Sequence, residues 1–126
     1  MKIVIDTSIL IDYLRGGTIW QQFLINAPRE AELFLPTVVI FELFSGKSAE
    51  DPNKINKIDA LLQKLQKVEL TEEIARKAGE LYRNIGMKIG SVDYLIAASA
   101  LELNAKVVTL NQKHFKQIPN LAIYPI

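Results

Sequence analysis

The chain has 126 residues, 49% apolar and 23% charged, with 15 Lys plus Arg against 14 Asp plus Glu and a formal net charge of +1. That balance excludes a disordered or fibrous chain and does not announce a strongly basic nucleic-acid binder. The absence of cysteine excludes disulfide scaffolds, thiol nucleophiles and zinc-thiolate sites, and the length is that of one domain, residues 1–126.

The first residues set the pattern. Ile3-Val4-Ile5 reads as a short buried strand broken by Asp6, and Asp6-Thr7-Ser8 as the turn into a helix from Ile9 to Arg15. A carboxylate at a strand exit stands where open α/β sheets build their ligand sites, although Asp, Thr and Ser also cap helices. This apolar run lacks the cationic leader and cleavage site of a secretion signal. No apolar stretch approaches the ~18 residues of a membrane span, so a soluble cytoplasmic protein is expected. Asp12, three residues before Arg15, reads as half of a surface ion pair outside any site.

Gly16-Gly17 breaks the chain, and Thr18 caps a helix that runs to about Ala27 and stops at Pro28. Its stripe of Ile19, Trp20, Phe23 and Leu24 is core, or else a groove for a partner helix or strand, since it is large for one side of so short a helix. Leu33 to Leu35 is a second strand. Pro36-Thr37 then opens a helix through Gly46 that carries Glu42 inside Val38-Val39-Ile40-Phe41-Glu42-Leu43-Phe44, a segment apolar on every side. With no polar stripe to carry it into water, an ionised Glu42 needs a cation, a metal or strong donors, unless it lies at the helix surface.

Lys47 to Asn53 is a polar loop, with Asp51-Pro52 as cap and first-turn pair. Ile55, Ile58, Leu61, Leu62 and Leu65 repeat at three and four through an amphipathic helix from Asn53 to Gln66. Its lysines, Lys54, Lys57 and Lys64, with Lys67 at its exit, form a solvated face or a phosphate-tracking patch. Val68 and Leu70 make a brief strand, and Thr71 caps a helix that ends at Gly86. Gly90-Ser91 starts another helix, which carries Asp93 in its first turn and stops at Asn104; at a helix start an acid is stabilised by the dipole whether or not it has a function. A strand from Lys106 to Leu110, a helical turn after Asn111 and a last strand around Ala122 to Tyr124 complete the chain. Short apolar strands alternating with helices call for an α/β fold: a three-layer α/β/α arrangement around a mostly parallel sheet of about four to five short strands.

Asp6, Glu42 and Asp93 can converge above one end of such a sheet. Hard oxygen ligands suit Mg2+ or Mn2+, which can activate water for phosphodiester cleavage. Thr7, Ser8, Thr109 and Asn111 are placed to orient carboxylates or waters. His114, beside Phe115, is either packed or surface-exposed, or orients water or an RNA phosphate.

Ile3-Val4-Ile5-Asp6-Thr7-Ser8, Phe41-Glu42-Leu43, Asp93-Tyr94-Leu95-Ile96-Ala97-Ala98-Ser99-Ala100 and Val108-Thr109-Leu110-Asn111-Gln112-Lys113-His114-Phe115 occur in this order. Together they resemble the PIN-domain family. A single compact domain of this size is most similar to the VapC toxins of type II toxin-antitoxin modules, metal-dependent ribonucleases inhibited by a VapB-type antitoxin. The resemblance implies metal-ligand roles for Asp6, Glu42 and Asp93, helper roles for Ser8, Thr109 and Asn111, RNA as substrate, and a homodimer. In one respect the chain departs from the pattern. Many family members carry a fourth carboxylate in the segment matching Thr109 to Phe115, often where His114 stands, and this chain has no acid after Glu102. The departure weakens the case for a second metal and leaves an alternative function, a catalytically weak PIN domain that binds RNA or protein. A haloacid-dehalogenase-like phosphotransferase is disfavoured, because Ser8 stands where that class has its second Asp.

Overall fold

The computed structural model describes residues 1–126. Four parallel strands, β1 (Lys2–Ile5), β2 (Glu32–Pro36), β3 (Gln66–Val68) and β4 (Lys106–Val108), form one sheet in the order β3-β2-β1-β4. Ile3, Val4 and Ile5 are all fully buried, without the in-out alternation of a half-exposed strand, because helices cover both faces of the sheet in a three-layer α/β/α arrangement. β1 pairs with β2, Ile3 opposite Leu33, and with β4, Ile3 opposite Lys106. The chain builds outward from β1 to β2 and β3, then returns to lay β4 on the other side of β1. Strand order therefore reverses between β1 and β4, and ligands bind outside the carboxyl ends of strands at such a reversal. The residues that leave those two ends are Asp6 and Thr109.

The seven α-helices are α1 (Thr7–Leu14), α2 (Ile19–Asn26), α3 (Thr37–Ser45), α4 (Pro52–Lys64), α5 (Glu72–Ile85), α6 (Ser91–Leu103) and α7 (Gln112–Phe115). α6 is the central one. Tyr94 and the run Ile96-Ala97-Ala98-Ser99-Ala100 are all buried, and the small side chains let α6 pack against β1, β4, α3, α5 and α7. It ends where Asn104 takes a left-handed conformation, φ 54°, and the Ala105 N–H reaches back to the Ala100 carbonyl at 2.8 Å, closing the last turn without a glycine. The Tyr94 hydroxyl donates to the Gly86 carbonyl at 2.6 Å and so fixes the start of α6 against the end of α5.

Several boundaries differ from the sequence reading. α1 begins at Thr7 rather than Ile9, because Asp6 is itself the N-cap and the expected turn shrinks to one residue. The polar loop contains a 3-10 turn over Lys47–Glu50. β3 lies at Gln66–Val68, before the expected Val68 and Leu70, and Leu70 is 48% exposed. The last strand is a single parallel bridge between Val107 and Ile123; Pro125, lacking an N–H, cannot extend it.

Two side-chain expectations are corrected as well. Trp20 and Phe23 are buried, stacked on each other with ring centroids 5.7 Å apart, and Phe23 meets Tyr124 edge-on. They belong to the core, whereas Leu24 is 45% exposed and Ile19 is half-buried. Asp12 makes no ion pair with Arg15; the protein's ion pairs are Arg76 with Glu72 and His114 with Asp93. The Asp12 carboxylate instead folds over Gly17, where a Cβ would collide with it, and accepts weakly from the Ile19 N–H at 3.4 Å. No helix is long and apolar enough to cross a membrane.

Candidate active site

Asp6 is 1% exposed, and every hydrogen bond its carboxylate receives falls on one oxygen. Oδ2 accepts from Ser8 Oγ at 2.6 Å, Thr109 Oγ1 at 2.7 Å and, weakly, the Ser8 N–H at 3.4 Å. The two hydroxyls are in turn held from behind: Leu110 N–H donates to Ser8 Oγ at 3.0 Å and Asn111 N–H to Thr109 Oγ1 at 2.9 Å. Each hydroxyl has one proton and gives it to Asp6, so their own 3.4 Å approach is proximity rather than a hydrogen bond. The backbone leaving β4 is thus coupled to the carboxylate leaving β1.

Glu42 and Asp93 reach the same place from α3 and α6. Thr7 Oγ1 donates to Glu42 Oε1, and His114 Nδ1 lies 3.1 Å from Asp93 Oδ2, donating when that nitrogen carries the proton. The expectation that Glu42 sits in a helix apolar on every side is corrected. Val39 and Leu43 turn inward while Phe41 and Phe44 are 66% and 42% exposed, which leaves Glu42 half-buried between them.

The three carboxylates share a design: each uses one oxygen on a hydroxyl or imidazole and takes no protein donor on the other. No buried side-chain polar atom lacks a partner, so the three free oxygens are open to solvent. They face an open cavity of about 340 Å³ that Asp6, Ser8, Asp12, Glu42, Asp93 and Asn111 help to line. Arg15 lines it too. Sequence reasoning passes over that cation, because its spacing from Asp12 points to a surface pair. Thr7, Thr109 and His114 act on the cavity through the carboxylates they hold. The lysines of α4 do not line it; Lys57 lies over the Tyr13 ring instead.

Burial is the largest cause raising the Glu42 carboxyl above its usual range; the Thr7 hydrogen bond opposes it, and the charges of Asp6 and Asp93 reinforce it. Asp93 is raised in the same way, by burial first, against the His114 hydrogen bond, with Asp6 adding to the rise. As the side chains stand, no group of three or more His, Cys, Asp or Glu is arranged to hold a metal ion. The donor set nonetheless fits a hard divalent cation in kind: three open carboxylate oxygens in one cavity, two of them on groups that resist carrying their charge unneutralised.

A folded-state pKa raised above the unfolded value gives stability that is fully present below the unfolded carboxylate range and lost as pH rises through the folded value. Without metal, Glu42→Gln and Asp93→Asn should therefore melt a few degrees above the unsubstituted protein at pH 7, since relieving about 1 kcal/mol moves a domain of this size by roughly 3–5 °C. The gain should vanish as pH falls below about 4, where the native carboxylates are protonated. Thermal melts across that range test this, and lower melting temperatures for both variants at pH 7 would show that the charged carboxylates stabilise the fold.

Residues 3–121 match the PIN domain family. Ribonuclease VapC19 of Mycobacterium tuberculosis is 35% identical over 124 residues, covering 94% of this chain and 95% of the relative. Ribonuclease VapC2 of Rickettsia felis is 35% identical over 94 residues, 71% of this chain and 70% of the relative. Among solved structures, VapBC2 from Rickettsia felis bound to a DNA fragment from their promoter matches with a TM-score of 0.83 at 26% identity, covering 98% of each chain. VapBC-1 from nontypeable Haemophilus influenzae matches with a TM-score of 0.79 at 26% identity, covering 98% of this chain and 97% of that one. The family match over residues 3–121, with identity above 30% across almost the whole of a relative, places this chain in the PIN-domain family, among the VapC ribonucleases.

Proposed function

We propose that the chain is an endoribonuclease toxin that hydrolyses RNA phosphodiester bonds with the help of Mg2+ or Mn2+ and is inhibited by a VapB-like antitoxin. The observation that carries this reading is the set of three carboxylates at the β1/β4 reversal, each restrained by one oxygen and open at the other. Asp6, Glu42 and Asp93 would hold the ion. When bound, such an ion neutralises charge on the scissile phosphate and makes water acidic enough to attack near neutral pH. Ser8 and Thr109 hold Asp6 in one orientation, Thr7 does so for Glu42, and His114 for Asp93. Asn111, exposed on the cavity wall, offers an amide to water or to a phosphate oxygen, and Arg15, free of any ion pair, offers a guanidinium suited to phosphate.

Two surfaces support protein partners. A cleft of about 230 Å³ between α2 and α4 is lined by Trp20, Leu24, Leu33, Leu61 and Leu65 among others, an apolar groove that suits the helix of an antitoxin. On α3, the exposed Phe41 and Phe44 form a contiguous apolar face that suits a second copy of the chain.

Asp6→Asn, Glu42→Gln and Asp93→Asn should each lower RNA cleavage at least about a hundredfold with the fold retained, and Ser8→Ala by about ten- to a hundredfold, as outer-shell partners do. Asn replaces Asp well as an N-cap, so the Asp6 variant keeps α1. Three acid variants that cut as fast as the unsubstituted protein would refute the site. An unsubstituted protein that binds RNA yet cuts none with either ion would be the binding module instead.

Leu24→Asp should weaken antitoxin affinity more than tenfold while shifting the melting temperature little, whereas Trp20→Ala should cost about 3–5 kcal/mol of stability as a core truncation. Calorimetric binding alongside thermal melts separates the two, and unchanged affinity in Leu24→Asp removes the α2–α4 cleft as the antitoxin site. Phe41→Asp should convert a dimer into a monomer in sedimentation velocity. A dimer that survives the change, or an unsubstituted chain that is already monomeric, places no interface on α3.

A further inference from the structure

A cavity of about 650 Å³, larger than the carboxylate cavity, lies beside it. Leu110 and Asn111 line both. Thr109 and His114, which hold Asp6 and Asp93, present their other sides to the larger one. An RNA whose scissile phosphate faces the three acids must therefore carry a neighbouring nucleotide over this opening.

The lining has the chemistry of a nucleotide site. No Asp or Glu faces it, and Lys113 and Lys116, neither in an ion pair, supply cations. Gln22 and Asn26, exposed on α2, each present a donor and an acceptor on one amide, the pairing that reads a base edge. Tyr124, half-buried, offers an aromatic ring, and splayed RNA bases stack on such rings. The volume lies within the roughly 300–1,000 Å³ of small-ligand sites. The cleft between α2 and α4 also carries two lysines, Lys57 and Lys64, but a single amide, Gln21, where this cavity has four, on Gln22, Asn26, Asn111 and Gln112.

Resting on the ribonuclease reading, we propose that this cavity is a base-binding subsite for a nucleotide flanking the scissile phosphate, with Gln22 and Asn26 determining which base is accepted. Specificity then resides in residues separate from those that hold the metal.

The test is cleavage of a randomised RNA oligonucleotide pool by the unsubstituted protein and by Gln22→Ala/Asn26→Ala, with folding checked by thermal melting. The double variant should still cut, with base preference at one position beside the cut reduced about tenfold, as expected for losing a good base-edge contact. An abasic nucleotide at that position should slow the unsubstituted protein about tenfold and the double variant no further. An unchanged cleavage profile, or equal sensitivity of both proteins to the abasic site, overturns the subsite while leaving the ribonuclease reading intact. A profile unchanged while antitoxin affinity falls tenfold would give the cavity to the protein partner, and also overturns it. If the unsubstituted protein cuts no RNA with Mg2+ or Mn2+, the ribonuclease reading fails, and photocrosslinking of RNA containing 4-thiouridine decides the cavity separately. Crosslinks on the Tyr124 or Gln22 peptides support base binding there, and crosslinks elsewhere or none refute it.

Discussion

The site depends on how a single buried oxygen, Asp6 Oδ2, is satisfied. A carboxylate 1% exposed costs several kcal/mol to desolvate unless strong donors replace water, and charge-assisted hydrogen bonds of about 1.5–3 kcal/mol each are the means available. Ser8 and Thr109 provide two of them. Their oxygens accept the N–H groups of Leu110 and Asn111, so losing either hydroxyl would deprive Asp6 of a donor and a backbone N–H of its acceptor together. The register of β1 on β4, Ile5 opposite Val108, brings the two strand exits level and makes the exchange geometrically available. A one-residue slip in that pairing would undo it.

Glu42 and Asp93 are held differently. Each carboxylate has one protein donor rather than three, each is half-buried, and each has its pKa raised chiefly by burial, with Asp6 adding repulsion. The site therefore has one firmly fixed acid and two whose charged forms are kept under strain. Without a cation that arrangement opposes folding at neutral pH, and with one the same repulsion becomes affinity. On the proposed metal-binding role, the cluster gives up stability for affinity, the common trade between fold and activity.

Much of this arrangement is legible in the order of the residues alone. Asp6, Glu42 and Asp93 stand out because an acid amid apolar residues demands a reason, and the hydroxyls at the two strand exits follow from topology. α5 is readable from its cap, Thr71, whose Oγ1 accepts from the Ile74 N–H at 3.2 Å, and α6 from its start at Gly90-Ser91 and its stop at Asn104. What escapes such reading depends on contacts between distant segments. Trp20 on a short helix reads alike as core or as partner surface until Phe23 and Tyr124 are placed around it. Asp12 pairs with Arg15 by spacing alone, yet the missing Cβ of Gly17 gives its carboxylate a better resting place five residues on. Glu42 looks enclosed in one dimension because Phe41 and Phe44 are apolar, and only packing shows that they point outward.

Arg15, released from that expected pair, bears on how a chain with a net charge of only +1 receives a polyanion. Three carboxylates in one cavity repel phosphate, and at physiological ionic strength such a field decays over about 8 Å. Net charge matters less at that range than the position of the cations. Arg15 stands in the wall of the acid cavity, and Lys113 and Lys116 line the adjoining one. None of the three is neutralised by an acid within the chain. On the proposed function, a backbone laid across both cavities meets a cation in the wall of each, and the carboxylates are left for the divalent ion.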